Sequence, residues 1–263
     1  MNFEQISSKN NERIKQVHRL VASSSERADM GLFVLEGLRL CRDAAQNGVI
    51  ATELYFTEYA LSKFHDDVEL MIAKSVNAFC VTDDVFKKMS ATDSAQGVCA
   101  VYSTDVLKTD TVPSKTGRYI ACENVADPGN LGAISRTAEA LGLNGMILLG
   151  HCCDRLNPKA LRASMGALMR LPVIENSDAV KSVIAMQEQG MRVFASVVTA
   201  DAAAVGEITF TDGDVIIIGN EANGMTEETA AVCNERITIP IKGRAESFNA
   251  ASAASILMWE LAR

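Results

Sequence analysis

Apolar and polar positions along the first hundred residues predict a mixture of helices and strands. In the stretch 10–23, apolar residues recur at Ile14, Val17 and Leu20, which is the spacing of a helix that buries one face. The predicted order is helix 10–23, strand 32–37, helix 38–48, strand 53–57, helix 58–75, and strands 78–82 and 97–103. This mixture is typical of a small α/β domain.

Strand–helix alternation is stronger after residue 117. The predicted strands are 118–125, 145–150, 192–198, 214–221 and 236–241, and the predicted helices are 132–142, 157–172, 179–190, 225–235 and 247–263. Runs such as 215–219 are apolar without alternation, which favours parallel strands that are covered on both faces. We therefore predict an α/β fold whose C-terminal domain contains a mostly parallel sheet.

A polar stretch separates these two parts of the chain. Residues 104–117 are rich in Thr, contain Pro113 and show no apolar periodicity, so they predict a linker. The predicted organisation is an N-terminal domain at 1–104, a linker at 105–117 and a C-terminal domain at 118–263.

Charge and hydropathy limit the possible partners. The chain has 263 residues and a net charge of −8, which argues against a protein that coats nucleic acid non-specifically, because phosphate binding needs clustered cations. A local RNA contact stays possible, since residues 1–42 carry seven Lys and Arg against five acidic residues. No apolar run approaches the roughly 20 residues of a membrane span, and the N-terminus lacks an apolar signal core. We expect a cytoplasmic protein with no membrane partner.

The cysteines favour neither a metal site nor disulfides. They are scattered and form no C-x-x-C pair, so we expect no metal and interpret most of them as small buried side chains. The adjacent Cys152 and Cys153 leave a redox role open. The seven are Cys41, Cys80, Cys99, Cys122, Cys152, Cys153 and Cys233.

The first segment with candidate chemistry is 123–142. A predicted strand ends there in a tight turn and a helix follows. Asn130 is placed to cap that helix, and this interpretation accounts for it. It does not account for Arg136, which lies six residues later among small residues. Arg136 is either a surface residue or a guanidinium aimed into a site, and the spacing leaves both open.

The second segment, 215–228, runs from a buried strand into a glycine-containing loop. Gly219 and Gly224 permit close approach of a ligand to the backbone, and open α/β sheets bind ligands at the carboxyl ends of their strands. Glu221 in this loop is either solvated or functional. Because neither G-x-G-x-x-G before a helix nor G-x-x-x-x-G-K-[ST] occurs, a nucleotide-dependent oxidoreductase is disfavoured.

The third segment, 237–263, joins a strand to the terminal helix. Ser247 and Asn249 precede a helix whose first residues are all Ala or Ser, and Ser247 as its N-cap is the simplest explanation. Small side chains permit close helix packing, either inside the domain or across a dimer interface.

Together the three segments resemble the motifs of the SpoU/TrmH family of RNA 2′-O-methyltransferases in the SPOUT superfamily. The matches are N-x-x-D-P-x-N-x-G-x-x-x-R at 124–136, G-x-E-x-x-G at 219–224, and I-P-I followed by S-F-N at 239–249. Segment 157–173 also resembles the family. The N-terminal part is similar to the L30e-like substrate-binding domain that precedes the catalytic domain in many members. The departures are Asn220, where a small residue is frequent, Ala222-Asn223 in place of a more glycine-rich stretch, and Phe248, where leucine is usual.

The resemblance implies S-adenosylmethionine as cofactor, a trefoil knot in the C-terminal domain, and a homodimer packed through the knot region. It implies that Arg136 is the catalytic arginine, either as a general base or as a cation that stabilises the ribose oxyanion, in its own site or across the dimer. Polar residues that shape the site are Asn130, Glu221, Ser247 and Asn249. Cofactor-binding positions are Ser196, Val197, Gly219, Ile239, Phe248 and Asn249.

The implied substrate is RNA, with ribosomal RNA favoured by the two-domain layout. A tRNA methyltransferase and a non-catalytic RNA-binding relative are the alternatives. Each candidate phosphate contact has solvated surface charge as the equally weighted alternative. These candidates are Lys9, Arg13, Arg39, Lys159, Arg162 and Arg244.

Overall fold

The protein folds into two compact units. The structure, a computed structural model, describes residues 3–92, 96–107, 112–199 and 201–263. One unit comprises Met1–Lys108 with Leu156–Gly166, and the other comprises Thr109–Arg155 with Ala167–Arg263. The grouping of Leu156–Gly166 with the first unit differs from the predicted division, which placed this segment in the C-terminal domain. Of the predicted linker, residues 108–111 lie outside the described residues; the preceding residues Thr104–Leu107 form a 3-10 helix.

The first unit is built on a five-stranded mixed sheet in the order β1-β4-β3-β5-β2. Its strands are β1 Glu4–Ile6, β2 Leu32–Glu36, β3 Ala51–Thr57, β4 Ser75–Val81 and β5 Val98–Ser103. Its helices are α1 Glu12–Ala22, α2 Ser24–Met30, α3 Leu38–Gln46, α4 Glu58–Lys63, α5 His65–Ala73 and α6 Asp83–Met89. The predicted apolar face of α1, at Ile14, Val17 and Leu20, is fully buried in one core with Tyr55 and Phe79. The α/β prediction for this part is therefore confirmed.

The prediction of one helix over 58–75 was wrong. The chain forms two helices, because Phe64 adopts φ −127° and ψ 44°, which interrupts the helical hydrogen bonds. Three short elements, β1, α2 and α6, were not predicted. Each has seven residues or fewer, which is too short for a periodic pattern to stand out.

The second unit is built on a seven-stranded sheet in the order β10-β12-β9-β11-β6-β7-β8. Its strands are β6 Tyr119–Glu123, β7 Gly145–Leu149, β8 Val173–Asn176, β9 Arg192–Ser196, β10 Ala203–Ala204, β11 Asp214–Ile218 and β12 Glu235–Thr238. Its helices are α7 Pro128–Ala140, α9 Ala167–Arg170, α10 Ala179–Glu188, α11 Glu227–Val232 and α12 Ala250–Ala262, with a 3-10 helix at Val205–Glu207. All six strand pairs are parallel, which confirms the predicted sheet.

The predicted single helix at 157–172 is also interrupted. Helix α8, Pro158–Ser164, ends where Met165 and Gly166 take left-handed conformations with φ of 51° and 91°. Glycine enters this region at little cost and methionine does so rarely, so the sequence signal for the break was Gly166 alone. Helix α9 then begins at Ala167.

All seven cysteines are free thiols, and four of them are buried. Burial raises the pKa of every one, to about 12 for Cys41, Cys153 and Cys233. Because the thiolate is the reactive form, a raised pKa keeps these groups protonated and unreactive at neutral pH. The environment of Cys152 and Cys153 therefore does not favour the redox role.

A thiol titration tests this conclusion. At pH 7.5 we expect the folded protein to react with Ellman's reagent at least about tenfold more slowly than a model thiol, while the denatured chain reacts promptly at all seven positions. A rapid phase in the folded protein, assigned to Cys152 or Cys153 by Cys→Ser substitution, would contradict it.

Two further features bear on partners. Among the described residues, no helix has the length and apolar character needed to cross a membrane. The same ranges contain no group of three or more His, Cys, Asp and Glu side chains suited to hold a metal ion.

Candidate active site

Three neighbouring strands of the second sheet end at the same edge. Parallel pairing places Ile237 of β12 opposite Ser196 of β9, and Ala195 of β9 opposite Ile217 of β11. The loops that follow these strands therefore leave the sheet side by side. The predicted cofactor-binding positions Ser196, Val197, Gly219 and Ile239 are all located there. Sequence motifs separated by up to 43 positions, from 196 to 239, thus meet at one edge.

The loop after β11 doubles back tightly on itself. The backbones of Asn220 and Gly224 exchange two hydrogen bonds, each 2.9 Å long. A Cβ atom on Gly219 would lie 2.2 Å from the carbonyl carbon of Gly224 and 2.2 Å from the nitrogen of Met225. No side chain fits at that distance, so position 219 requires glycine. We call residues 219–224 the hairpin loop.

Asn220 stabilises the hairpin loop through hydrogen bonds within the loop and through a hydrogen bond to Asn124 outside it. Its side-chain oxygen accepts hydrogen bonds from the backbone N–H groups of Ala222 and Asn223, at 2.9 and 3.1 Å. Its amide nitrogen donates to the carbonyl of Asn124 at 2.8 Å. A small residue, which is frequent at this family position, would make none of these bonds. The departure from the family pattern therefore adds contacts to the loop.

Glu221 is held by three donors from the segment that follows β6. Its carboxylate accepts from the backbone N–H groups of Ala126 and Asp127, both at 3.1 Å, and from the Asn130 side chain at 2.9 Å. Partial burial raises the pKa of Glu221, but the hydrogen bonds, led by the one from Asn130, outweigh burial and leave the pKa below its usual value. The stabilisation from these bonds is therefore present at neutral pH and is lost as acid protonates the carboxylate. Glu221 is not simply solvated.

Asn130 connects Glu221 to the third segment. The Asn249 amide nitrogen donates to the Asn130 side-chain oxygen at 3.0 Å. The Asn249 oxygen in turn accepts from the backbone N–H groups of Ala251 and Ser252, at 2.9 and 3.3 Å. We call Glu221, Asn130 and Asn249 the Glu–Asn–Asn chain. An ionised carboxylate only accepts hydrogen bonds, so Asn130 must point its NH2 group at Glu221. Its oxygen then faces Asn249 and accepts from that amide, which fixes the orientation of both side chains.

Both predicted helix caps were wrong. Helix α7 is capped by Asp127, whose side chain accepts from the Asn130 N–H at 3.0 Å, and α12 is capped by Asn249. Pro128 occupies the first position of α7, and proline there is favourable because its missing N–H would have had no partner within the helix. Asn130 is thereby left free for Glu221. Ser247 lies outside α12, is exposed, and forms no hydrogen bond among the described residues.

Arg136 lies apart from the Glu–Asn–Asn chain. It is exposed, and within the described ranges its guanidinium has no hydrogen bond or ion pair. Six residues separate it from Asn130 on α7, which corresponds to about 120° around the helix and about 9 Å along it. The two side chains therefore leave α7 in different directions. The neighbouring Thr137 lies against α12, with its hydroxyl 3.4 Å from that of Ser255.

The chain between β12 and α12 supplies the remaining predicted cofactor positions. Residues 239–249 form neither helix nor strand, and most are exposed. Ile239 is half-buried, and Phe248 is 43% exposed. Phe248 adjoins Asn249 of the Glu–Asn–Asn chain in sequence. Ile239 follows directly after β12, at the edge where β9 and β11 also end.

The candidate phosphate contacts fall into two groups. Lys9 pairs with Asp84 at 3.7 Å, Arg13 pairs with Glu53 and covers the Phe79 ring, and Arg162 lies 3.6 Å from Glu36. Exposed ion pairs contribute only about 0–1 kcal/mol, so Lys9 stays available to an RNA phosphate. The other predicted contacts, Arg39, Lys159 and Arg244, are exposed.

Four polar residues of this edge had no role assigned from the sequence, although Asn124 and Asp127 belong to the motif at 124–136: Glu123, Asn124, Asp127 and Thr226. Asn124 has φ 55°, and its side-chain oxygen accepts from the His151 N–H at 2.7 Å. Glu123 is buried at the end of β6. The available signal was position, since all four lie where a predicted strand ends or a helix begins.

Comparison with known proteins identifies the family. Residues 117–259 match the model of the SpoU rRNA Methylase family, and residues 11–100 match the MRM3-like substrate binding domain. The chain belongs to the SpoU rRNA methylase family. This confirms the prediction of an RNA methyltransferase that uses S-adenosylmethionine and carries an N-terminal substrate-binding domain.

Individual SpoU methylases match along nearly the whole chain. An uncharacterized tRNA/rRNA methyltransferase of Synechocystis sp. is 30% identical over 98% of this chain and 93% of its own length. The 23S rRNA (guanosine(2553)-2′-O)-methyltransferase RlmP of Bacillus subtilis is 27% identical over 98% of this chain and 99% of its own length. The crystal structure of an AdoMet-bound rRNA methyltransferase from Sinorhizobium meliloti superimposes with a TM-score of 0.85 at 27% identity, covering 98% of this chain and 97% of that one.

Proposed function

We propose that this SpoU methylase transfers a methyl group from S-adenosylmethionine to a ribose 2′-hydroxyl of ribosomal RNA. The observation that carries the proposal is the Glu–Asn–Asn chain, which joins all three family motifs at the sheet edge where Gly219 lies. The relatives that match along nearly the full length favour ribosomal RNA over tRNA. A non-catalytic role is disfavoured, because every predicted polar site residue is present.

The residues at this edge fit the methyl donor. Backbone groups of Gly219, Ile239 and Phe248, with Ser196 and Val197 beside them, would hold it. The tight hairpin loop leaves no room for a side chain at Gly219, so any contact of this position with the donor would be made by its backbone. The half-buried Ile239 and partly exposed Phe248 provide apolar surface for an adenine ring. When bound, S-adenosylmethionine supplies a methyl group on a positively charged sulfur, which is a good leaving group.

Arg136 would stabilise the negative charge that develops on the ribose oxygen. A guanidinium holds its proton too tightly to act as a base in proteins, so a fixed cation is favoured over a general base. Charge stabilisation of this kind needs a donor aligned before the reaction begins. The Glu–Asn–Asn chain does not contact Arg136; it holds its own polar groups in fixed orientations beside Gly219, where they would orient the ribose. Ser247 is assigned to the same pocket on the family resemblance.

We further propose that the protein is a homodimer in which Arg136 of one protomer serves the pocket of the other. Arg136 leaves α7 away from Asn130 and has no partner among the described residues, so it is free to reach a second subunit. Helix α12, which lies against α7, exposes Ile256 and Trp259, the latter to 58%. Apolar side chains on a helix of small residues suit a close subunit interface. The resemblance adds a trefoil knot at this interface, which an experimental backbone trace would test. The cytoplasmic location expected from the sequence would be tested by cell fractionation.

Two measurements test the proposed activity. Calorimetry should show binding of S-adenosylmethionine by the purified protein, and mapping of 2′-O-methylation in a deletion strain should show loss at one ribosomal RNA nucleotide. No binding at millimolar cofactor would favour the non-catalytic alternative. Loss of a tRNA methylation, with ribosomal RNA unchanged, would move the substrate to tRNA.

A further inference from the structure

Glu123 is a buried carboxylate directly beside the hairpin loop. It is the last residue of β6 and is only 2% exposed. Its oxygens accept hydrogen bonds from the Thr226 backbone N–H at 2.9 Å, the Thr226 hydroxyl at 2.7 Å and the Thr229 hydroxyl at 2.6 Å. All three donors lie in the first turn of α11 or at its cap. The carboxylate therefore holds the chain at the point where it leaves the hairpin loop.

These contacts suit a group that only accepts hydrogen bonds. Three donors converge on Glu123, and a carboxylate offers lone pairs to all of them. An amide has one accepting oxygen and one donating NH2 group, so Glu123→Gln would remove one acceptor and force the threonine hydroxyls to turn. In the described part of the chain, no Lys or Arg forms an ion pair with Glu123. A buried charge without a cation is costly even when hydrogen-bonded, so stability alone is a poor reason for this residue.

Glu123 and Asn124 hold the two ends of the hairpin loop through hydrogen bonds. At the start of the loop, the Asn220 side chain donates to the carbonyl of Asn124. Past the end of the loop, Thr226 donates to Glu123. Two consecutive residues at the end of one central strand thus fix both ends of the loop. This explains how Gly219 can lie so near Gly224 and Met225 without the loop spreading.

We propose that Glu123 is a positioning residue for the methyl donor. Through Thr226 and Thr229 it keeps the hairpin loop in the conformation in which the Gly219 backbone faces the donor. The inference rests on the proposed function, since it assumes that S-adenosylmethionine binds at this loop. Glu123 itself is covered by Thr226 and Thr229 and has no direct role in the transfer.

The test compares Glu123→Gln with Asp214→Asn. Asp214 is an equally buried carboxylate, 1% exposed, at the opposite end of β11, where it accepts from Arg192 at 2.8 Å and from the Thr211 N–H at 2.7 Å. Both variants should lower the melting temperature. Only Glu123→Gln should raise the KM and calorimetric Kd for S-adenosylmethionine, by about tenfold or more, because a buried donor loses its charged partner. Its kcat at saturating donor and its KM for RNA should stay within about threefold of wild type.

Thr229→Val supplies a milder second variant. It has nearly the same shape and removes one donor to Glu123, so the KM for S-adenosylmethionine should rise in the same direction and by less. In the Glu123→Gln background it should add little, because the two residues act on one contact. If Glu123→Gln does not fold, the effect of Thr229→Val alone decides.

An unchanged KM in Glu123→Gln, or an equal rise in Asp214→Asn, would overturn the positioning role, as would an unchanged KM in Thr229→Val. Failure of the wild-type protein to bind S-adenosylmethionine would instead overturn the proposed function. The wild-type measurement therefore distinguishes the two failures.

Discussion

Arg136→Ala is expected to reduce methyl transfer at least about 100-fold while the protein stays folded and keeps its affinity for S-adenosylmethionine. Loss of one donor to a developing oxyanion typically costs about 100- to 1000-fold in kcat. The folded state should be unaffected, because Arg136 is exposed and forms no hydrogen bond or ion pair among the described residues. Single-turnover transfer to RNA, with calorimetry and thermal unfolding on the same preparation, measures all three quantities.

Arg236→Ala is the matched control. Arg236 is an arginine of the same unit whose guanidinium pairs with Glu227, so its loss should leave kcat within about threefold. Arg136→Lys keeps a positive charge and should retain part of the activity. The pH dependence of the methyl-transfer rate distinguishes the two roles of Arg136. If the wild-type rate rises tenfold per pH unit through pH 10, and Arg136→Lys abolishes this rise, Arg136 acts as a base. Near-normal turnover in Arg136→Ala would remove it from catalysis.

Gly219→Ala is expected to abolish detectable binding of S-adenosylmethionine, with a rise in Kd of at least about 100-fold. The added Cβ would lie 2.2 Å from backbone atoms of Gly224 and Met225, which cannot move aside as a flexible side chain would. The hairpin loop must open, and the backbone that faces the donor moves with it. Because Asn220 ties the loop to Asn124 and Glu221 ties it to Asn130, thermal stability should fall as well. Calorimetry and a thermal melt measure the two effects.

The control for this substitution is Gly206→Ala. Gly206 lies in the 3-10 helix of the same unit, has no atom within 4 Å of a built Cβ, and does not require a left-handed backbone. It should therefore bind the donor normally. Normal donor binding by Gly219→Ala would mean that the hairpin loop is not part of the cofactor site.

The two inactive variants together test the dimer. If Arg136 serves the partner's pocket, a dimer of one Arg136→Ala and one Gly219→Ala protomer has one pocket with an intact loop and an intact arginine. An equal mixture that exchanges subunits freely should then regain about a quarter of wild-type activity, since half of the dimers are mixed and each has one working site. If Arg136 acts within its own protomer, the mixture stays inactive.

Much of this architecture could be predicted from the sequence, because its strands are short apolar runs with little ambiguity. β11 and β7 are fully buried runs, and they were located to within three residues. The helix break at Phe64 could not be predicted, since phenylalanine does not mark a break, and the break at Met165 was signalled only by the following Gly166. Tertiary packing fixes the backbone conformations at these breaks, and helix propensities, which depend only on local sequence, do not reflect that packing.

At the site, the sequence placed the right segments together but misassigned individual hydrogen bonds. Asn130 and Asp127 are both good caps, and spacing alone did not say which one capped α7. Pro128 decided the matter, because it sets the first helical position and leaves Asp127 as cap. Glu123 was missed because a carboxylate at a strand end usually faces solvent. Only the fold shows that Thr226 and Thr229 cover it.

The Glu–Asn–Asn chain also couples the helix packing of the second unit to the proposed donor site. Asn249 caps α12 and donates to Asn130, which in turn donates to Glu221 in the hairpin loop. Helix α12 lies against α7, where the Thr137 and Ser255 hydroxyls are 3.4 Å apart. A substitution that shifts α12 on α7 would therefore also turn the amides that hold Glu221, so mutations far from the hairpin loop can weaken donor binding.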